Sequence, residues 1–80
     1  MILSIVKAEY IGNYSLSIEF SDGKLANIYF GDFLLKAKNP MTKKYLNENL
    51  FQQFNILYGD IVWNDYELCF PIYDLYQGKL

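Results

Sequence analysis

Few side chains in these 80 residues are able to do chemistry. There is one cysteine, Cys69, and no histidine or arginine; nine acids against seven lysines leave a formal charge of −2. The general acid–base and metal-ligand work that usually falls to imidazole is therefore excluded. A thiolate needs a cationic neighbour or a base, and Cys69 has instead Glu67 two residues away. It is expected to be a buried small hydrophobe. Asp60, Asp65, Glu67 and Asp74 crowd the last third of the chain. Asp65 and Glu67 would share one face of an extended strand about 7 Å apart, which suits a hard cation or an acid–base pair. The segment lacks the regular oxygen spacing and mid-loop glycine of a calcium site, so solvated turns are the expected role. A small enzyme or metal-binding domain on Asp65 and Glu67, or on Cys69, is the first alternative; the main reading is non-enzymatic and without cofactor.

Lys36, Lys38, Lys43 and Lys44 form a basic stretch. Lysines neutralise phosphates, but the commonest base-specific contact comes from arginine, and the chain is net negative. An accessory nucleic-acid-binding role for Lys36–Lys44 is the second alternative. The basic stretch stands against the acids of residues 60–74, a dipolar pattern suited to a protein partner or a second copy. Eight tyrosines cannot all hide their hydroxyls in so small a core, and exposed tyrosine is enriched at interfaces. The candidate docking residues are Tyr66, Tyr73 and Tyr76, with Asp65, Glu67, Lys43 and Lys44 as flanking charges. The main reading is a protein-interaction module that binds another protein or itself.

These residues must be positioned by a small number of elements. Residues 1–80 read as a single domain, with 52% hydrophobic residues and no linker. The N-terminus lacks a signal peptide's organisation, and no apolar run approaches the ~20 residues that span a bilayer, so a cytoplasmic protein without membrane contact is expected. Ile2 to Ile11 reads as one long strand, followed by a turn at Gly12-Asn13. From Tyr14 to Phe20 the alternation is strict, with Tyr14, Leu16, Ile18 and Phe20 on one face. A two-residue Asp22-Gly23 loop would put Asn27 on that apolar face. A three-residue loop with Gly23 left-handed pairs Phe20 with Lys24 and brings Ala26, Ile28 and Phe30 into line. The three-residue loop is predicted.

Asn39-Pro40 marks a helix start, with Met41 and Tyr45 four apart on one face. A second short helix follows from Asn47. Strands are predicted over residues 55–58, 61–63 and 66–70, and a terminal helix over 72–76 after Pro71. Strands, then helices, then strands give an α+β fold: a small antiparallel sheet with a long β-hairpin and short helices packed on one face.

Three features fall in a recognisable order. They are the hairpin from Leu16 to Phe30 turning at Ser21-Asp22-Gly23, the Leu50-Phe51 helix, and Ile61-Val62-Trp63 followed by Glu67-Leu68-Cys69-Phe70-Pro71 and Leu75-Tyr76. Together they resemble the small bacterial family known as domain of unknown function 2442, DUF2442, over nearly the whole chain. Asn64-Asp65-Tyr66 departs from that family's Asn-Gly type turn, and Glu67 stands where its members carry Asp. The resemblance implies no established activity. It points to a regulatory or antitoxin-like partner, since some members look like modules ahead of a DNA-binding domain and others like halves of a toxin–antitoxin pair.

Overall fold

The alternation from Leu16 to Phe20 becomes the middle strand of a three-stranded antiparallel sheet, ordered β1 (Ile5–Gly12), β2 (Ser15–Phe20) and β3 (Leu25–Tyr29). In the computed structural model, which describes residues 2–64 and 66–80, Leu16, Ile18 and Phe20 are fully buried. The second turn is the predicted three-residue loop. Phe20 N–H donates to Lys24 O at 2.9 Å, Gly23 N–H donates to Phe20 O at 2.9 Å, and Gly23 has φ +93°. Glu19 then faces Leu25 and Leu16 faces Ile28, so the apolar face is continuous across the hairpin.

The first turn lies one residue later than expected. Asn13 and Tyr14 are its central pair, at φ 51° and 56°, and Gly12 faces Ser15. Two left-handed central residues match the twist of a tight hairpin. Tyr14 tolerates this because its ring packs edge-on to Phe51 and its hydroxyl donates to the Leu46 carbonyl. Strand β1 starts at Ile5 rather than Ile2 and carries two bulges, at Ile5/Lys7 and Tyr10/Gly12. Each bulge inserts a residue, and the apolar Val6 and Ile11 are left exposed there.

Short α-helices follow β3 and close the chain: α1 (Gly31–Lys36), α2 (Pro40–Lys43), α3 (Glu48–Phe51) and, at the end, α4 (Ile72–Gln77), with a 3-10 turn over Lys44–Leu46. A second antiparallel sheet lies between α3 and α4, ordered β4 (Phe54–Leu57), β5 (Asp60–Trp63) and β6 (Leu68–Cys69). The α+β class, the long hairpin and the short helices stand as expected, with the strands shared between two sheets. The sheets meet where Ile5 N–H donates to Gly59 O at 2.8 Å.

Both sheets and helices α1, α3 and α4 bury apolar residues in one cluster that includes Ile18, Phe30, Leu34, Phe51, Trp63 and Leu75. Trp63 sits at its centre with no exposed surface, stacked on Phe51 at 5.5 Å and edge-on to Phe30, Phe54 and Phe70 at 6.0, 6.1 and 5.9 Å. Its indole N–H donates to the Phe51 carbonyl at 2.7 Å, which satisfies the only polar atom of the side chain.

Candidate partner-binding site

The basic stretch and the acidic third meet at one point. On the basic side, the Asn39 side chain accepts from Met41 N–H at 2.9 Å and Pro40 opens α2. The chain then tightens into a single 3-10 turn, Lys44–Leu46, which carries Tyr45 inward to 3% exposure and leaves Lys44 at the surface. On the acidic side, Asn64 and Tyr66 take left-handed φ of 46° and 68° after β5, and the turn delivers Glu67 just before β6. Glu67 Oε1 accepts from Lys44 Nζ and from the Tyr45 hydroxyl, each at 2.6 Å. The Lys44 ammonium also lies 5.4 Å from the Tyr45 ring centroid.

The two titratable partners move in opposite directions. The Lys44 ammonium, with the Tyr45 hydroxyl and Asn64, holds the Glu67 carboxyl below the usual carboxylate range. Burial and the facing Glu67 push the Tyr45 phenol up to about 12. A general acid or base works best with its pKa near the operating pH, and both groups are displaced from neutrality. Beside them Lys44, Tyr45, Gln53, Phe54, Asn55 and Asn64 line a cleft of about 540 Å³. The lining offers an ammonium, side-chain amides and an aromatic wall, and the Glu67 carboxylate is held beside it by Lys44 and Tyr45.

The ion pair has a pH signature. Because the folded-state pKa of Glu67 lies below the ordinary carboxylate value, its contribution to stability is present above that value and lost as pH falls through the depressed pKa. In Lys44→Met the Glu67 titration, followed by carboxyl NMR, should move upward. The difference in thermal midpoint between wild type and variant should shrink on acidification. A Glu67 titration unchanged by the substitution would refute the pairing.

Of the residues singled out from sequence, Lys44 and Glu67 are brought into contact, so the charge separation is closed internally there. Lys43 is exposed beside them. Asp65 lies outside the described residues. Tyr66 and Tyr73 are 46% and 59% exposed. Tyr76 belongs to another cluster: its ring packs edge-on to Phe20 at 4.9 Å and under the Lys24 ammonium at 4.1 Å, and its hydroxyl donates to Asp22. Lys24 Nζ donates to Tyr76 O at 2.7 Å, so this tyrosine pins α4 to the hairpin turn. Cys69 corrects an expectation. Trp63 pairs with Leu68 and Val62 with Cys69, so the two-residue period turns Leu68 and Phe70 inward and leaves the thiol exposed.

Sequence reasoning missed Tyr58. It is 97% exposed at the tip of the β4–β5 hairpin, where Tyr58 and Gly59 have φ 53° and 82° and Leu57 faces Asp60. The signal was the glycine: a residue followed by Gly between two apolar runs reads as a tight two-residue turn, one position earlier than Gly59-Asp60.

The family model described as Protein of unknown function (DUF2442) matches residues 5–79, nearly the whole chain. No curated protein and no solved structure matches it. The chain belongs to the DUF2442 family. Among the described residues no helix is long and apolar enough to cross a membrane.

Proposed function

We propose that this DUF2442 protein is a cytoplasmic, non-enzymatic interaction module that docks another protein through surface tyrosines. Tyr58 is the observation that carries the reading. A left-handed backbone costs a residue with a Cβ about 1–2 kcal/mol, and the Tyr58 ring is almost wholly exposed, so it recovers little of this by packing on its own chain. Strained residues concentrate at functional sites, and tyrosine is among the side chains that dominate binding energy at interfaces. The displaced pKa values of Glu67 and Tyr45 support binding over proton transfer at the cleft. Within this reading the partner is of the regulatory or antitoxin-like kind that the family resemblance suggests.

The test exploits opposite signs. Asn tolerates the left-handed region, and Asn-Gly is the favoured pair for such a turn. Tyr58→Asn is therefore expected to raise stability by about 1 kcal/mol. The same variant, used as bait in host lysate, should lose proteins that the wild-type chain retains. Thermal melts and quantitative affinity capture read the two effects. A variant that melts higher yet captures the same proteins at the same yield would refute Tyr58 as a contact.

A further inference from the structure

The four sheet edges are not protected alike. Natural edges are blunted by bulges, charges, proline or shortness. Strand β1 has two bulges and carries Lys7 and Glu9. Strand β6 is two residues long and runs into Phe70-Pro71, and β4 has four residues. Strand β3, Leu25-Ala26-Asn27-Ile28-Tyr29, has no charge, no proline and no bulge, and its one neighbour is β2.

The hydrogen-bond phase shows which of its groups are open. Phe20 N–H donates to Lys24 O and Phe30 N–H donates to Tyr14 O, and antiparallel pairing alternates along the strand. Lys24, Ala26, Ile28 and Phe30 therefore turn their backbone groups toward β2. Leu25, Asn27 and Tyr29 turn N–H and C=O to the outside, where no hydrogen bond from a described residue reaches them. Their side chains lie on the solvent face, Leu25 being 69% exposed. The Tyr29 ring lies against Gly31, so part of its surface is already covered by its own chain.

We infer that β3 is a self-complementary edge on which a second copy of this chain pairs antiparallel, with the two-fold axis at Asn27. In that register every outward-facing residue meets an outward-facing residue: Leu25 opposes Tyr29 of the other chain, Asn27 opposes Asn27, and Tyr29 opposes Leu25. The bonding phase permits this pairing, and a one-residue slip would break it. Two apolar–aromatic pairs flank a central amide pair on the solvent face, with no like charges opposed. The inner faces of the two sheets become continuous through Ala26 and Ile28. This inference does not depend on Tyr58, which lies in the other sheet.

A contact this small belongs with weak interfaces, so sedimentation velocity should span roughly 10 µM to 1 mM. The wild-type chain should pass from monomer to dimer across that range. Asn27→Lys and Asn27→Glu place like charges opposite each other on the axis, so each alone should weaken association about tenfold or more. Mixed in equal amounts, they should associate again. Asn27 is exposed, so the thermal midpoints of both variants should change little. Amide exchange on the unmodified chain gives an independent reading: Leu25, Asn27 and Tyr29 amides should gain protection with concentration, while Ala26 and Ile28 are protected throughout. A monomer at every concentration, association indifferent to both substitutions, or concentration-independent exchange at Leu25, Asn27 and Tyr29 would each overturn the inference.

Discussion

Trp63→Ala is expected to leave the chain unfolded at room temperature. The side chain has no exposed surface and five aromatic neighbours, Phe30, Tyr45, Phe51, Phe54 and Phe70. Truncating a buried tryptophan costs about 3–5 kcal/mol, because the lining rings cannot collapse into the space without leaving their rotamers. A core of this size supplies about 3–5 kcal/mol in total, so the loss equals the whole. Trp63→Phe separates two contributions. It keeps a ring in the cluster but strands the Phe51 carbonyl without its 2.7 Å donor, which costs about 1–3 kcal/mol on top of the smaller void. That variant should fold and unfold at lower urea. Far-UV circular dichroism against urea reads both. A Trp63→Ala chain that still unfolds cooperatively at a nearly unchanged midpoint would mean the core is organised elsewhere.

Such a core was legible because its pattern is local. Period-two alternation from Leu16 to Phe20 fixed a face, and the need to keep Asn27 off that face selected the three-residue loop at Gly23. Caps at Asn39 and Asn47 were legible for the same reason, each side chain accepting from an amide two residues on. Where two backbone choices satisfy the same local pattern, reading failed. The four-residue spacing puts Tyr45 on the face of Met41, but the helix tightens to a 3-10 turn at Lys44, and Met41 is exposed while Tyr45 is buried. The last strand shrank from residues 66–70 to Leu68–Cys69 because left-handed residues at Asn64 and Tyr66 use chain in the turn. Cys69 went outward with that register.

The candidate site was legible in its parts and not in its assembly. Lys44, Glu67, Tyr66 and Tyr73 were named from type and surroundings. That Tyr45 and Lys44 would both reach Glu67 depends on folding across a sequence separation of 22 for Tyr45, which no spacing rule encodes. The contact also changes its meaning. Charges that looked like two opposed patches for a partner are partly spent on each other, and Tyr58, Tyr66 and Tyr73 stay exposed. Tyr58 was hidden for a different reason: it stands out by a left-handed φ, and tyrosine is a poor residue for announcing one.

Gly59→Ala is expected to destabilise the chain by about 2–5 kcal/mol, an effect close to that of Trp63→Ala. Gly59 has φ +82°, where an added Cβ costs about 1–2 kcal/mol by itself. The added atom would also lie 2.5 Å from Ser4 Cβ and 3.4 Å from Ser4 Cα, so the backbone of one sheet would have to move away from the other, at about 1–3 kcal/mol more. That movement would stretch the Ile5 N–H to Gly59 carbonyl bond, which joins the sheets. Gly23→Ala is the control: φ is +93°, but nothing lies within 4 Å of the added atom, so only the conformational cost applies. Ser4→Gly combined with Gly59→Ala should remove the clash and bring the cost down to that of Gly23→Ala, a non-additivity that contact between the two positions requires. Urea midpoints of wild type, Ser4→Gly, Gly59→Ala, the double variant and Gly23→Ala measure it. Equal losses at Gly59 and Gly23, with no rescue by Ser4→Gly, would show that the two sheets do not meet at this point. With the joint intact, a pull on Tyr58 at the hairpin tip is transmitted through Gly59 to Ile5 and the first sheet, so a partner gripping the tip would load both halves of the core.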